Sequence, residues 1–177
     1  MKFVETGLPG AWVVEIERLS DERGFFARTF DVDAFAARGL RTEFPQCSIS
    51  FNAKAGTLRG MHWQEAPHHE AKLIRCTAGA VYDVLLDLRP ESPTFLQWRG
   101  VELSADNRRM VYAPEGMAHG FQTLEPETEV FYQISVPYHP ASARGVRWDD
   151  PAFAIRWPDA DERILSDRDR GYPDFAP

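Results

Sequence analysis

Three short clusters hold the residue types best suited to moving a proton. The first is Leu58-Arg59-Gly60-Met61-His62-Trp63-Gln64, followed by Lys72. The second runs from Ala113 to Phe121 and contains His119, and the third is Phe131-Tyr132. A histidine, a lysine and a tyrosine on neighbouring strands supply a base, a cation for a developing oxyanion and a weak acid. Those are the groups needed to shift a proton at a carbon beside a carbonyl. Taken singly, each has an ordinary structural use: a hydrogen-bonded strand histidine, a solvated lysine, a core tyrosine. Periodicity adds a constraint. Arg59 and His62 are three apart, so a regular strand points them to opposite faces. Gly60 between them marks a candidate bulge that re-aims one of them.

A metal is the natural alternative, because His62, His68, His69 and His119 all carry imidazoles. A His-x-His ligand pair starting at His62 is missing, since position 64 is Gln. Adjacent His68 and His69 point to opposite sides of any strand. The expected site therefore holds no metal.

The elements that must position these residues are short strands punctuated by turns. Residues 12–19 set Val14 and Ile16 between Glu15 and Glu17, a half-buried alternation. Residues 80–88 place Tyr82, Val84, Leu86 and Leu88 on one face and Val81, Asp83, Leu85 and Asp87 on the other. Both faces are largely apolar, which predicts a strand through the middle of the protein. Residues 128–134 form another β-type run with Thr128, Val130, Tyr132 and Ile134 on one side. Turn signals at 89–93, 113–116 and 137–140 separate the runs, and the spacing predicts a sandwich or jelly-roll barrel. Helix is scarce: a short one over 33–39, with Asp33 near its start and Gly39 as the C-terminal cap, and a turn capped by Ser166 that contains Asp167 and Asp169. The tail after Trp157 is polar and is expected to wrap the outside or edge. No repeat or linker divides residues 1–177, which read as one domain.

Bulk properties narrow the function. The net charge of −7 argues against generic binding to nucleic acid or to anionic membrane. Cys47 and Cys76 are too few for a disulfide framework and read as buried free thiols of a reducing compartment. There is no 18-residue apolar stretch and no basic-then-apolar leader. A cytoplasmic protein is expected.

The motifs together resemble the dTDP-4-dehydrorhamnose 3,5-epimerase family over nearly the whole chain. They include Asp21-Glu22-Arg23-Gly24-Phe25-Phe26, Leu58–Gln64, Lys72-Leu73-Ile74-Arg75 and Val81–Val84 with Asp87-Leu88-Arg89. They continue through Ser92–Phe95, Pro114-Glu115-Gly116 with Ala118–Phe121, Phe131-Tyr132, Trp148–Pro151, Ile155–Pro158 and Leu165-Ser166. The resemblance implies an all-β, cupin-type jelly-roll barrel with short peripheral helices, a homodimer with sites shared across the interface, and no cofactor. It implies epimerisation at C3 and/or C5 of a nucleotide-activated 4-keto-6-deoxyhexose. By the same resemblance His62 is the base, Asp169 its partner, Tyr132 the acid on the other face and Lys72 the group facing the enolate oxygen. Arg59 and His119 line the site, Arg59 near the diphosphate. Arg23 and Phe26 reach the neighbouring subunit's nucleotide, Tyr138 lies near the base or sugar, and Gln46 and Ser48 are on the substrate-binding side.

The chain also departs from that pattern. Arg28 stands where the family usually has Glu. Gln46-Cys47-Ser48-Ile49-Ser50 replaces Gln-x-Asn-x-Ser, Glu70-Ala71 replaces Gln-Gly, and Gln133 replaces a lysine. The proton-transfer residues are intact while the nucleotide and sugar side varies, which points to a divergent member with altered substrate contacts. Three rivals remain at this point: a single-position epimerase, a metal-dependent dioxygenase of the same fold, and a sugar-nucleotide binder without catalysis.

Overall fold

Thr, Val, Ile and aromatic residues in runs of four to eight favour a pleated backbone, and the described residues form thirteen strands. The structure is a computed structural model and describes residues 1–176. One sheet has six strands: β1 (Lys2–Glu5), β2 (Trp12–Glu15), β10 (Met110–Ala113), β7 (Lys72–Ala78), β12 (Thr128–Ile134) and β5 (Gln46–Asn52), in that spatial order. The other has five: β13 (Ala143–Gly145), β6 (Leu58–Gln64), β11 (Met117–Thr123), β8 (Ala80–Asp87) and β9 (Trp98–Ser104). The pairings between these strands are antiparallel and sequence neighbours repeatedly fall in opposite sheets, which is the cupin-type jelly roll. A small hairpin, β3 (Leu19–Asp21) with β4 (Gly24–Phe26), stands apart from both sheets. The predicted strand over 12–19 is thus broken after Glu15, and Leu19 begins the separate hairpin.

Apolar residues form three clusters, and these account for β8. Val81 and Leu85 pack with Ile74, Val111, Phe121 and Val130 between the sheets. Val84 and Leu86 face the opposite way, against Val146, Phe153, Ile155 and Trp157 from the later chain. A strand covered on both faces must be apolar on both, as residues 80–88 are. A third cluster packs Phe35 of α1 (Val32–Ala36) on Val14, Leu73 and Tyr112, on the outer face of the six-stranded sheet.

Helix α1 begins at Val32, with Asp33 in its first turn as expected. Its N-cap is Asp31, whose side chain accepts a hydrogen bond from the Ala34 amide. Gly39 stops the helix as predicted: its φ of 68° lies in the left-handed region, and the next amide, Leu40, donates to the Phe35 carbonyl. Of the two cysteines only Cys76 is buried. Cys47 is exposed because β5 is an edge strand whose outward residues, Cys47, Ile49 and Phe51, have no neighbouring layer in the chain. Among the described residues no helix is long and apolar enough to cross a membrane.

Candidate active site

The inner faces of the two sheets enclose a cavity of about 610 Å³. His62, Arg59, His119, Lys72, Tyr132, Asp169, Ser48 and Tyr138 all line it. The difficulty with Arg59 and His62 is resolved at Gly60. Against β11, His62 pairs with His119 but Arg59 pairs with Phe121, so β6 carries one extra residue across that interval. Gly60 sits at φ 125°, and a Cβ there would lie 2.5 Å from the Gly120 Cα. Only glycine gives the bulge that turns both side chains toward the cavity.

His62 is held by a carboxylate that comes from far along the chain. Its Nε2 lies 2.6 Å from Asp169 Oδ1. Asp169 sits in α2 (Asp167–Arg170), whose N-cap is Ser166, as its sequence suggested; the Ser166 hydroxyl accepts from the Asp169 amide. The polar tail therefore does more than wrap the barrel. Ile164 clips it to Gly56 and Leu58 by backbone hydrogen bonds, and it then returns Asp169 to the cavity. Burial pushes the Asp169 carboxyl up, but the hydrogen bond and charge of His62, with the Ser166 and Gly60 contacts, outweigh it and hold the group below the ordinary 3.8. A proton on Nε2 donated to Asp169 leaves Nδ1 as the free acceptor of the neutral ring.

Tyr132 and Lys72 come from the opposite sheet, on adjacent strands β12 and β7. Burial pushes the Tyr132 phenol well above its ordinary 10, with the nearby Asp83 charge adding to the rise. Tyr132 keeps some surface open to the cavity, yet protein packs closely around its hydroxyl, and the packing governs its ionisation. The phenol is therefore neutral at physiological pH. Its hydroxyl makes only a long 3.5 Å contact, with Ser50. Lys72 is not a solvated surface lysine: its side chain is 12% exposed and its Nζ lies 2.7 Å from Glu70 Oε1.

Several residues that sequence reasoning gave no role prove to belong to the site. His119 Nε2 lies 2.7 Å from Asp83 Oδ2, a second buried imidazole–carboxylate pair, and the His119 ring meets Tyr132 edge-on at 6.1 Å. Two aspartates, Asp83 and Asp87, alternating with Val81 and Leu85 on one face of a strand expected in the interior were the available signal. Asn52 Oδ1 accepts from Arg59 Nε at 2.8 Å and so fixes the guanidinium. Gln64 and Glu70 also line the cavity.

Three predicted residues lie elsewhere. Gln46 supports the site indirectly, accepting from the Tyr138 amide at 2.7 Å. Arg23 and Phe26 sit exposed on the β3–β4 hairpin and do not line the cavity. Arg28 is also outside it, paired with Asp31 at the cap of α1. The departures that do reach the cavity are Ser48 and Glu70. Of the four histidines offered for a metal, His62 and His119 are tied to carboxylates. His68 stacks on His139 at 3.5 Å, and His69 bonds the Gln64 carbonyl. Among the described residues no group of three or more His, Cys, Asp or Glu is placed to hold an ion.

An imidazole backed by a buried carboxylate, facing a phenol and an ammonium across the gap between two sheets, fits a cupin-type fold with the groups for proton transfer. The comparisons with known proteins narrow this to one family. A sequence profile for dTDP-4-dehydrorhamnose 3,5-epimerase matches residues 5–177. The dTDP-4-dehydrorhamnose 3,5-epimerase of Methanothermobacter thermautotrophicus is 42% identical over 174 residues, covering 97% of this chain and 92% of that protein. The crystal structure of the Bacillus anthracis enzyme of the same name, with TDP and PPi bound, superposes with a TM-score of 0.93 at 44% identity, covering 98% of this chain and 99% of that one. ChmJ, a 3'-monoepimerase from Streptomyces bikiniensis in complex with dTDP-quinovose, superposes at 0.87 with 36% identity, covering 95% of this chain and 85% of that one. The chain belongs to the dTDP-4-dehydrorhamnose 3,5-epimerase family and is an isomerase.

Proposed function

We propose that this protein epimerises a dTDP-linked 4-keto-6-deoxyhexose at C3 and C5, by proton removal and return through an enolate. The observation that carries the reading is that the base and the acid come from opposite sheets and line one cavity. Inverting a carbon needs a proton to leave one face and another to arrive on the opposite face. A 4-keto group acidifies both flanking C–H bonds, so one His62 serves C3 and C5 in turn. The C–H electron pair moves onto the C4 oxygen as the proton passes to His62 Nδ1, and Asp169 stabilises the imidazolium. Lys72 faces the enolate oxygen. Tyr132 then delivers its proton to the opposite face of the carbon. Arg59, fixed by Asn52, meets the diphosphate, and His119, Ser48 and Tyr138 complete the lining.

The same reading makes the enzyme a cytoplasmic homodimer that shares its sites. Its support is the exposed apolar surface left on the protomer. Ile49 and Phe51 on edge strand β5 are 62% and 55% exposed, and Phe26 on the hairpin is 67% exposed. Arg23 and Phe26, distant from their own cavity, are the groups that would reach the partner's nucleotide. Light scattering reads the dimer, and loss of dTDP affinity in Phe26→Ala without loss of fold reads the sharing.

The test of the activity is incubation with dTDP-4-keto-6-deoxyglucose in deuterated water, following C3 and C5 by NMR. Deuterium at both carbons, abolished in His62→Ala, is the expected result. Deuterium at one carbon alone would establish the single-position reaction, which the likeness to a 3'-monoepimerase keeps as the second reading. No deuterium from folded, dimeric protein would refute both.

A further inference from the structure

Glu70 is a carboxylate inside a cavity where, on the reading above, a negatively charged enolate must form. It replaces the glutamine usual in the family, and it is well buried, with its side chain 9% exposed. One oxygen, Oε1, takes the Lys72 ammonium at 2.7 Å. The other, Oε2, accepts from Gln64 Nε2 at 3.1 Å. Gln64 is itself 2% exposed and is clamped on its far side, where its Oε1 accepts from the His139 amide at 2.6 Å. The chain of contacts runs from a fixed backbone amide through Gln64 and Glu70 to the tip of Lys72. No other described residue pairs with that ammonium.

We propose that Glu70 is a positioning residue that acts through Lys72: it anchors the ammonium where the C4 oxygen becomes anionic and keeps it there before substrate arrives. The inference rests on the keto-sugar reading of the site. A lysine tip on a four-carbon stem has many rotamers, and an ammonium this deeply buried without a counter-charge is costly to hold. Glu70 removes both problems with one contact. An ammonium has three N–H donors, so an ion pair with Glu70 on one side leaves donors for substrate on the other. The anchor works on transition-state charge and not on the nucleotide, so its loss falls on kcat. A glutamine at position 70 keeps an oxygen for Lys72, so the anchor survives in part.

The test is a double-mutant cycle on solvent-exchange kinetics, paired with NMR of the free protein. Glu70→Ala is expected to lower kcat about 10- to 100-fold with KM within about threefold, and Glu70→Gln to recover most of that loss. In a Lys72→Ala background, Glu70→Ala should cost less than about twofold more, because its route is already gone. Multiplying losses in the double variant, an effect confined to KM, or no effect of Glu70→Ala would each overturn the proposal. The ¹⁵N resonance of the Lys72 ammonium in substrate-free protein gives a readout independent of the reaction. It should be protected from exchange in the wild type, shifted in Glu70→Gln and lost in Glu70→Ala. An unchanged resonance in folded Glu70→Ala overturns the proposal even if activity falls. Should the wild type exchange no protons with any nucleotide keto-sugar, the functional reading fails, while the NMR comparison still decides whether Glu70 anchors Lys72.

Discussion

Replacing Asp169 by Asn tests the link between the tail and the chemistry. The carboxylate sits 2.6 Å from His62 Nε2, is 4% exposed, and also takes a contact from the Gly60 amide. When His62 accepts a proton, the pair becomes imidazolium and carboxylate. At about 4 Å between charge centres and an effective dielectric of about 20, their attraction is roughly 4 kcal/mol. Asn removes the charge but keeps the shape, so part of that figure survives as a neutral hydrogen bond worth about 1 kcal/mol. The net loss is about 3 kcal/mol, or roughly 150-fold in kcat. There is a second effect in the same direction. Asn has a single acceptor oxygen for two donors; if it turns to the Gly60 amide, its NH₂ faces Nε2 and moves the ring proton to Nδ1, where the base must be free. The assay is the initial rate of deuterium incorporation at saturating substrate, with thermal melting to confirm the fold. A folded Asp169→Asn enzyme within threefold of wild type would refute the assignment of His62 and Asp169 as a unit.

Four further outcomes follow from the geometry. Tyr132→Phe should fold normally and lose about 10²- to 10⁴-fold in kcat; because burial raises the phenol above 10, the stability it contributes is full below pH 10 and declines as pH rises toward its folded value, which melting in alkaline buffer against the Phe variant measures. Lys72→Met should lower kcat by about 10²-fold, on the order of 3 kcal/mol, while the dTDP dissociation constant read by calorimetry stays within a few fold. Asp87 is fully buried; burial raises its carboxyl, but Arg89, Ser92 and Thr94 hydrogen bonds win and bring it to about 2. Asp87→Asn should therefore cost about 2 kcal/mol above pH 4 in denaturant titrations, with the difference vanishing as pH falls through 2. Gly60→Ala should lower the melting temperature and abolish exchange together, since a Cβ 2.5 Å from Gly120 must move the strand that carries His62.

Short-range patterns were legible in the sequence because they answer to local physics. Alternation gave the strand over 128–134 at its observed bounds, and a strand apolar on both faces correctly announced that β8 is covered on both sides. Glycine punctuation gave the end of α1 and the bulge at Gly60. That His62, Tyr132 and Lys72 were candidates for the chemistry was also legible, because few side chains can serve those roles, and all three line one cavity. Which groups meet was decided only in three dimensions. Asp169 is 107 positions from His62, and nothing local to either residue states that the tail turns back at Ile164. Asp83 stood on a strand expected in the interior with no partner legible for it, and it is a buried partner of His119. Lys72 had the composition of a solvated residue, and its burial against Glu70 depends on two strands and a loop closing around it. Composition and period report what each residue can do alone; pairing energies depend on distance and on excluded water, and those come into being only when the two sheets close.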